Sequence, residues 1–222
     1  MSAEGFVLAG GRSSRMGRDK ALVDLAGRPL IVWAVDALKD AGLSARIAGA
    51  QSDLGKFAEV IRDREANAGP MAGICAALAV SETERAVILS VDMPLIPASL
   101  IEYLVWDSAM TGRMVTLASV NGFPQTFPAV MRRAALTALE QELGEGRSGC
   151  FAGFCKAAAS ARETVRVVAA ESLAQVGKVA HPLRLEPARW FHNVNSQTEL
   201  KRAEKWLSSR VRRDGRWEPV IS

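Results

Sequence analysis

The chain has 222 residues, 49% hydrophobic and 23% charged, with a formal net charge of +4. This balance is typical of a globular protein and excludes a disordered chain, and so small a positive excess does not indicate a nucleic-acid-binding protein. No apolar run reaches the roughly 18 residues that a membrane-spanning helix needs.

The few cysteines and histidines exclude further classes of protein. Two histidines cannot build a His-rich zinc site, and three cysteines without a C-x-x-C pair indicate free thiols. No secretory signal is visible at the N-terminus, so we expect a cytoplasmic protein.

In the first third of the chain, short β-rich runs alternate with helical stretches. Pro29 favours a helix start, and Leu30, Trp33, Ala34 and Leu38 form one apolar stripe behind it. We expect a strand at 5–8, a helix at 29–41, strands at 45–50 and 60–62, and a helix at 72–80.

The same alternation continues in the rest of the chain, and the run A-V-I-L-S-V at 86–91 is typical of a central parallel strand. An S-x-x-E capping box begins a helix at Ser196. We expect helices at 97–105, 133–143, 150–161 and 196–207, and strands at 86–91, 115–118, within 126–130 and at 164–168.

This order of elements predicts a three-layer α/β domain with a mostly parallel sheet over residues 1–207. Residues 208–222 read as a loose, basic C-terminal tail, with a basic docking arm as the alternative. Ligands of such sheets bind beyond the carboxyl ends of the strands, where the loops after Leu8 and Val91 lie.

The loop after the first strand is the densest chemical feature of the sequence. The run L-A-G-G-R-S-S-R-M-G-R-D-K combines two adjacent glycines, two hydroxyls and four basic residues. Glycines let backbone amides approach an anion, and Arg and Lys add full charge, so the loop predicts phosphate binding. The alternative is a glycine turn with solvated charges. The spacing is neither that of a P-loop nor that of a dinucleotide-binding fingerprint.

These residues resemble the opening of the molybdenum cofactor guanylyltransferase family, within the Rossmann-like nucleoside-triphosphate transferases. Further blocks of the resemblance are G-P-M-A-G at 69–73, V-D-M-P-L-I-P at 91–97 and F-H-N-V-N-S at 191–196. The resemblance implies a Rossmann-like nucleotidyltransferase fold with a mostly parallel, mixed sheet.

The implied reaction is attack by a phosphate monoester on the α-phosphorus of a nucleoside triphosphate, with release of pyrophosphate. A phosphate dianion is nucleophilic near pH 7, because its second pKa is about 6, so no general base is required. The implied transfer is of GMP from GTP to molybdopterin or Mo-molybdopterin. No Asn follows the second strand, where A-G-A-Q stands at 48–51, so cytidylyl or sugar-phosphate transfer remains open.

The resemblance also implies roles for particular residues. Mg²⁺ would be held by Asp92 and Asn195, although Asp92 alone could be a helix cap and Asn195 a turn residue. The implied catalytic residues are Arg15, Lys20 and Asp92. The implied nucleotide-binding residues are Leu8, Ala9, Gly10, Gly11, Arg12, Ser13, Ser14, Lys20, Asp63, Gly69, Gly73 and Asp92.

Three residues are candidates for the acceptor: Asn193 in the matched block at 191–196, and, in the less closely matched region, Arg133 and Arg147, the last in the basic loop G-R-S-G. The expected partners are GTP and molybdopterin, with neither nucleic acid nor membrane. We expect a monomer or a weak homo-oligomer, and docking to other molybdenum cofactor proteins is open. The alternative of another class is a non-catalytic nucleotide-binding module on the same fold.

Overall fold

The structure is a computed structural model that describes residues 2–10, 19–49, 54–61, 69–208, 210–213 and 216–219. The strands are β1 (Ala3–Leu8), β2 (Asp24–Leu25), β3 (Arg28–Pro29), β4 (Ser44–Ala48), β5 (Glu59–Ile61), β6 (Arg85–Ser90), β7 (Val115–Val120), β8 (Phe123–Arg132), β9 (Arg166–Ala169), β10 (Arg210–Arg213) and β11 (Arg216–Pro219).

The helices alternate with these strands. They are α1 (Leu30–Asp40), α2 (Pro70–Val80), α3 (Ala98–Thr111), α4 (Leu136–Gly144), α5 (Cys150–Ser160), α6 (Ala170–Gln175), α7 (Pro187–Trp190) and α8 (Gln197–Ser208), with short 3-10 turns at Lys20–Leu22 and Arg133–Ala135.

Seven strands form the central sheet, in the order β5-β4-β1-β6-β8-β7-β9. β8 runs antiparallel to both of its neighbours, and every other pair in this sheet is parallel. The predicted α/β fold with a mostly parallel, mixed sheet is confirmed.

Helices cover both faces of the sheet, because side chains of a strand alternate between its two faces. Val7 of β1 belongs to the core beneath α1, α3, α6, α7 and α8, whereas Phe6 belongs to the core beneath α2, α4 and α5. Both side chains are fully buried. The result is three layers with two apolar cores.

The chain order reverses at β1, which pairs with β4 on one side and with β6 on the other. Leu8, the last residue of β1, lies opposite Ser90, the last residue of β6. In open α/β sheets such a switch point leaves a crevice beyond the carboxyl ends of the strands, where ligands bind. The loops that follow Leu8 and Ser90 therefore meet at this crevice.

The structure departs from the sequence expectations in a few places. The helices α6 and α7 were not predicted, and α3 runs six residues beyond the predicted end at 105, to a left-handed Gly112. In the predicted loose tail, β10 and β11 pair as an antiparallel hairpin. No helix of the described residues has the length and apolarity needed to cross a membrane.

Candidate active site

Three residues that are far apart in the sequence meet at the switch point. The Nζ atom of Lys20 donates to Asp92 Oδ2 at 2.7 Å and also to the side-chain oxygen of Asn195. The first pair is 72 residues apart and the second 175. We call Lys20, Asp92 and Asn195 the site cluster.

Asp92 owes its position to the end of β6. The N–H of Val91 donates to Leu8 O at 3.1 Å, which continues the β1–β6 pairing by one residue. The chain then turns, and the hydroxyl of Ser90 donates to Asp92 Oδ1 at 2.6 Å. One carboxylate oxygen is thus held by Ser90 while the other faces Lys20. The S-x-D spacing at the strand end was the available signal for Ser90, which sequence reasoning missed.

Asn195 is fixed by the start of α8. The backbone N–H of Asn195 donates to Glu199 Oε2 at 2.8 Å, and the Ser196 hydroxyl donates to the same oxygen at 3.0 Å. Burial raises the pKa of Glu199, but hydrogen bonds from Asn195 and Ser196, together with the nearby His192, leave its pKa below the ordinary value. In addition, the N–H of Val194 donates to Asp92 O at 2.8 Å, so the loop before α8 is tied to the loop after β6.

Lys20 begins the short 3-10 turn at Lys20–Leu22. Asp19 caps this turn, since its Oδ1 accepts from the N–H of Ala21 at 2.9 Å. Ala21 is fully buried, which anchors the turn in the core and leaves the Lys20 side chain only 19% exposed. The lysine therefore points from a fixed backbone toward Asp92.

The end of β1 brings backbone close to backbone. The N–H of Ala9 donates to Ala48 O at 3.0 Å. A Cβ on Gly10 would lie 2.5 Å from Gly49 O, so only glycine fits at position 10 without moving the chain. Leu8 and Ala9 are buried and Gly10 is exposed. This is the backbone surface that the sequence predicts for the nucleotide.

For Gly69 and Gly73, the structure gives backbone conformation and burial but no contact with the site cluster. Gly69 is exposed at the N-cap of α2 with φ of +79°, a conformation that favours glycine, and Gly73 is buried one turn into that helix. Six further predicted site residues lie outside the described residues: Gly11, Arg12, Ser13, Ser14, Arg15 and Asp63.

The three candidate acceptor residues separate in the structure. Asn193 is exposed in the loop that carries Asn195. Arg133 follows the end of β8, where Arg132 pairs with Arg85 at the amino end of β6. Seven residues of about 3.3 Å each separate Arg85 from Asp92, so Arg133 lies at the opposite edge of the sheet, on the order of 20 Å from the site cluster.

Arg147 follows α4, which leads back from that far edge. α5 begins just beyond Arg147, and a Cβ on its Gly153 would lie 2.4 Å from the Met71 side chain in the first turn of α2. Since α2 begins at the carboxyl edge, Arg147 lies at that edge. Its guanidinium forms two hydrogen bonds of 2.6 and 2.7 Å with Glu142 and also pairs with Glu145.

Among the described residues, no group of three or more His, Cys, Asp and Glu side chains could hold a metal ion by itself. His181 has a structural role, since its Nδ1 accepts from Leu183 N at 3.0 Å and its Nε2 bonds to Leu95 O at 3.1 Å. The site cluster offers one carboxylate and one amide oxygen. That set suits Mg²⁺, which takes one or two carboxylates and obtains further oxygens from phosphate and water.

The lysine and the carboxylate meet where an open α/β sheet binds its ligand. The family match assigns the class, a nucleotidyltransferase with a Rossmann-like fold. The sequence model of the MobA-like NTP transferase domain matches residues 5–214, and the chain belongs to this family.

Relatives and solved structures agree with this assignment. The molybdenum cofactor guanylyltransferase of Rhizobium johnstonii is 30% identical over 92% of this chain and 93% of its own. That of Pseudomonas putida is 38% identical over 64% of this chain and 76% of its own. The crystal structure of molybdopterin-guanine dinucleotide biosynthesis protein A from Archaeoglobus fulgidus superposes with a TM-score of 0.73 at 25% identity, covering 92% of this chain and 98% of that one.

Proposed function

We propose that the protein transfers GMP from GTP to the phosphate of molybdopterin or Mo-molybdopterin, with release of pyrophosphate, in molybdenum cofactor biosynthesis. The observation that carries the proposal is the convergence of Lys20, Asp92 and Asn195 at the switch point. The relatives named molybdenum cofactor guanylyltransferase support the choice of base and acceptor.

The donor set of the site cluster fits a divalent cation. The ammonium group of Lys20 already contacts both Asp92 Oδ2 and Asn195 Oδ1, so these two oxygens converge on a positive charge. Both are hard oxygen ligands, the type that Mg²⁺ prefers. We propose Asp92 and Asn195 as its protein ligands. Bound there, Mg²⁺ would neutralise charge on the phosphate oxygens of the nucleotide.

The chain's own groups supply positioning and charge. The backbone at Leu8, Ala9 and Gly10 would lie against the nucleotide, and Lys20, released from its pair with Asp92, would take negative charge on the triphosphate. Arg15 is proposed to share that task with Lys20. In phosphoryl-group chemistry such positioning and electrostatic stabilisation account for most of the catalysis.

The acceptor phosphate attacks the α-phosphorus, a new P–O bond forms, and the bond between the α-phosphorus and the bridging oxygen of pyrophosphate breaks. No side chain needs to remove a proton from a phosphate dianion. On the acceptor side we propose Asn193, two residues before Asn195, and Arg147 at the same edge of the sheet. For the remainder of the nucleotide we propose Gly69 and Gly73, together with the predicted residues outside the described part.

Pyrophosphate release over a grid of nucleotides and acceptors tests the proposal. Purified protein with Mg²⁺ receives GTP, CTP, ATP or UTP, each with and without molybdopterin. We expect release only with GTP and molybdopterin together. We also expect GTP to raise the melting temperature most, because a ligand bound only by the folded state stabilises it.

The other outcomes of this grid separate the alternatives. Release with CTP in place of GTP would establish a cytidylyltransferase with the same chemistry. Release with GTP and a sugar phosphate would identify a sugar phosphate, and not molybdopterin, as the acceptor. Binding of GTP without release under any acceptor would overturn the proposed enzyme in favour of a nucleotide-binding module.

A further inference from the structure

A strongly basic groove lies outside the site cluster. It has a volume of about 750 Å³ and lies between the outer face of α8 and a second wall formed by residues 183–185 and α7. We call it the basic groove, and the residues that define it are Arg184, Arg189, Lys201, Arg202, Lys205 and Trp206. The described residues that line it include no acidic side chain.

Four of the five cationic residues named for this groove are exposed, namely Arg184, Lys201, Arg202 and Lys205. The apolar face of α8 is turned inward, with Leu200, Ala203 and Leu207 buried. Lys201 and Lys205 are one helical turn apart on the exposed surface. Within the described part of the chain, no carboxylate forms an ion pair with these lysines, with Arg184 or with Arg202.

Both walls of the basic groove are tied to the loop that carries Asp92. On one side, α8 follows directly from the loop in which Val194 N donates to Asp92 O at 2.8 Å. On the other, Arg184 stands in a turn with φ of +52°, its N–H donating to His181 O at 2.8 Å. His181 in turn bonds to Leu95 O at 3.1 Å, three residues after Asp92.

The spread of charge determines what kind of anion fits. A small phosphate compound needs donors that converge on one point, whereas these groups extend over more than one turn of α8 and onto a second segment. A single strand of nucleic acid would need an aromatic face on which bases stack. Trp206 does not offer a free face, because the Arg189 guanidinium lies 5.2 Å from its ring centroid and the His192 ring meets it at 4.9 Å.

We propose that the basic groove is a docking surface for an acidic face of a partner protein. Carboxylates distributed over a protein surface match cations distributed over a groove, and complementary charge of this kind guides association and orientation. A partner bound there would contact two segments that are each linked by hydrogen bonds to the loop that carries Asp92. The inference depends on the charge and place of the groove and not on the base or acceptor proposed above.

Binding of a short poly-glutamate peptide, measured by titration at low salt, tests the proposal. The variant Lys201→Glu/Lys205→Glu reverses the charge of both groove lysines. The control variant Lys156→Glu/Lys178→Glu makes the same change at two exposed lysines elsewhere. We expect the first variant to bind about tenfold more weakly and the second to bind like the unaltered protein, with binding lost as salt rises. Carbodiimide cross-linking should join the peptide to Lys201 or Lys205.

Two other results would overturn the proposal. Equal peptide binding by all three proteins would show that the groove is not the site. Single-stranded DNA or phosphatidylserine vesicles could bind more tightly than the peptide and lose that binding in the first variant. This result would show that the groove binds a nucleic acid or a membrane and not a protein. If the double reversal lowers the melting temperature, Lys201→Gln/Lys205→Gln repeats the test without introducing negative charge.

Discussion

Two ionic clusters at the carboxyl edge of the sheet have similar geometry and different origins. In the site cluster, Lys20 and Asp92 meet at 2.7 Å across 72 residues of sequence. In the second, which we call the Arg147 cluster, Arg147 bonds to Glu142 at 2.6 and 2.7 Å across only five residues and also pairs with Glu145. The Arg147 side chain is 52% exposed and that of Glu142 8%, against 19% and 16% for Lys20 and Asp92.

This difference separates a local feature from one that requires the whole fold. The Arg147 cluster forms where α4 ends, and its own residues satisfy its charges. The site cluster exists only when β1, β6 and the start of α8 are all in place. A local ion pair with one exposed partner contributes modestly to stability. A cluster assembled from distant segments, with two oxygens turned toward one cation, is better explained by a ligand than by stability.

The largest effect should come from Asp92→Asn, which keeps the shape of the side chain and removes its charge. We expect pyrophosphate release to fall by about 10²–10³-fold, comparable to the loss of one preorganised electrostatic contact. Steady-state assays with GTP, Mg²⁺ and molybdopterin measure this. The melting temperature serves as the control and should change little. Activity near that of the unaltered protein would refute the proposed metal ligand.

Lys20→Gln should have the next largest effect, a loss of about 10²-fold in rate, because it removes one full positive charge that would face the triphosphate. Stability should hardly change, since partly exposed ion pairs contribute at most about 1 kcal/mol. Lys20→Arg is the matched variant, and partial activity there would attribute the loss to charge. A fall in melting temperature with normal turnover would instead make the site cluster a structural pair like the Arg147 cluster.

The sequence predicted the site cluster better than its surroundings, for a physical reason. Asp92 directly follows the clear strand at 86–91, and Lys20 ends the motif that follows the first strand. Parallel strands bring their carboxyl ends to one edge of the sheet. The S-x-x-E pattern placed the start of α8 within one residue. These signals are local, and the fold rule then joins them.

The sequence could not predict in which direction a strand runs relative to strands that are distant in the chain. Arg133 and Arg147 look alike as basic residues near helix ends, but β8 runs antiparallel to β6 and carries Arg133 to the far edge. Nothing local to β8 shows which way it runs. The pairing of β10 with β11 was missed for a similar reason, because a tail with few apolar residues gives no strand period.

Arg147→Gln should have a moderate effect, limited to the acceptor. We expect the KM for molybdopterin to rise about tenfold with little change in kcat, because a hydrogen bond from a charged donor to phosphate is lost while Glu142 and Glu145 already compete for that donor. Arg162→Gln, at an exposed helix end, is the control. An unchanged KM would leave the Arg147 cluster with a structural role alone.

The pH dependence of stability gives a second measurement on the same variant. The hydrogen bond from Arg147 lowers the pKa of Glu142, and hydrogen bonds from Gln141 and Arg147 lower the pKa of Glu145. A lowered carboxylate pKa stabilises the fold above the ordinary value near 4.3, and that stabilisation is lost as pH falls through the lowered pKa. The melting temperatures of Arg147→Gln and the unaltered protein should therefore differ at pH 7 and converge in acid.

Ser90→Ala should have the smallest effect and tests how the site cluster is positioned. The Ser90 hydroxyl holds Asp92 Oδ1 at 2.6 Å, and a hydrogen bond of this kind contributes about 1 kcal/mol, or about fivefold in rate. We expect a loss of about that size, with a higher Mg²⁺ concentration at half-maximal activity, because the carboxylate is freer to turn toward Lys20. Ser90→Thr keeps the hydroxyl and should restore the Mg²⁺ dependence. If both variants need the same Mg²⁺ as the unaltered protein, Ser90 does not orient Asp92, and the proximity of Lys20 alone sets the direction of the carboxylate.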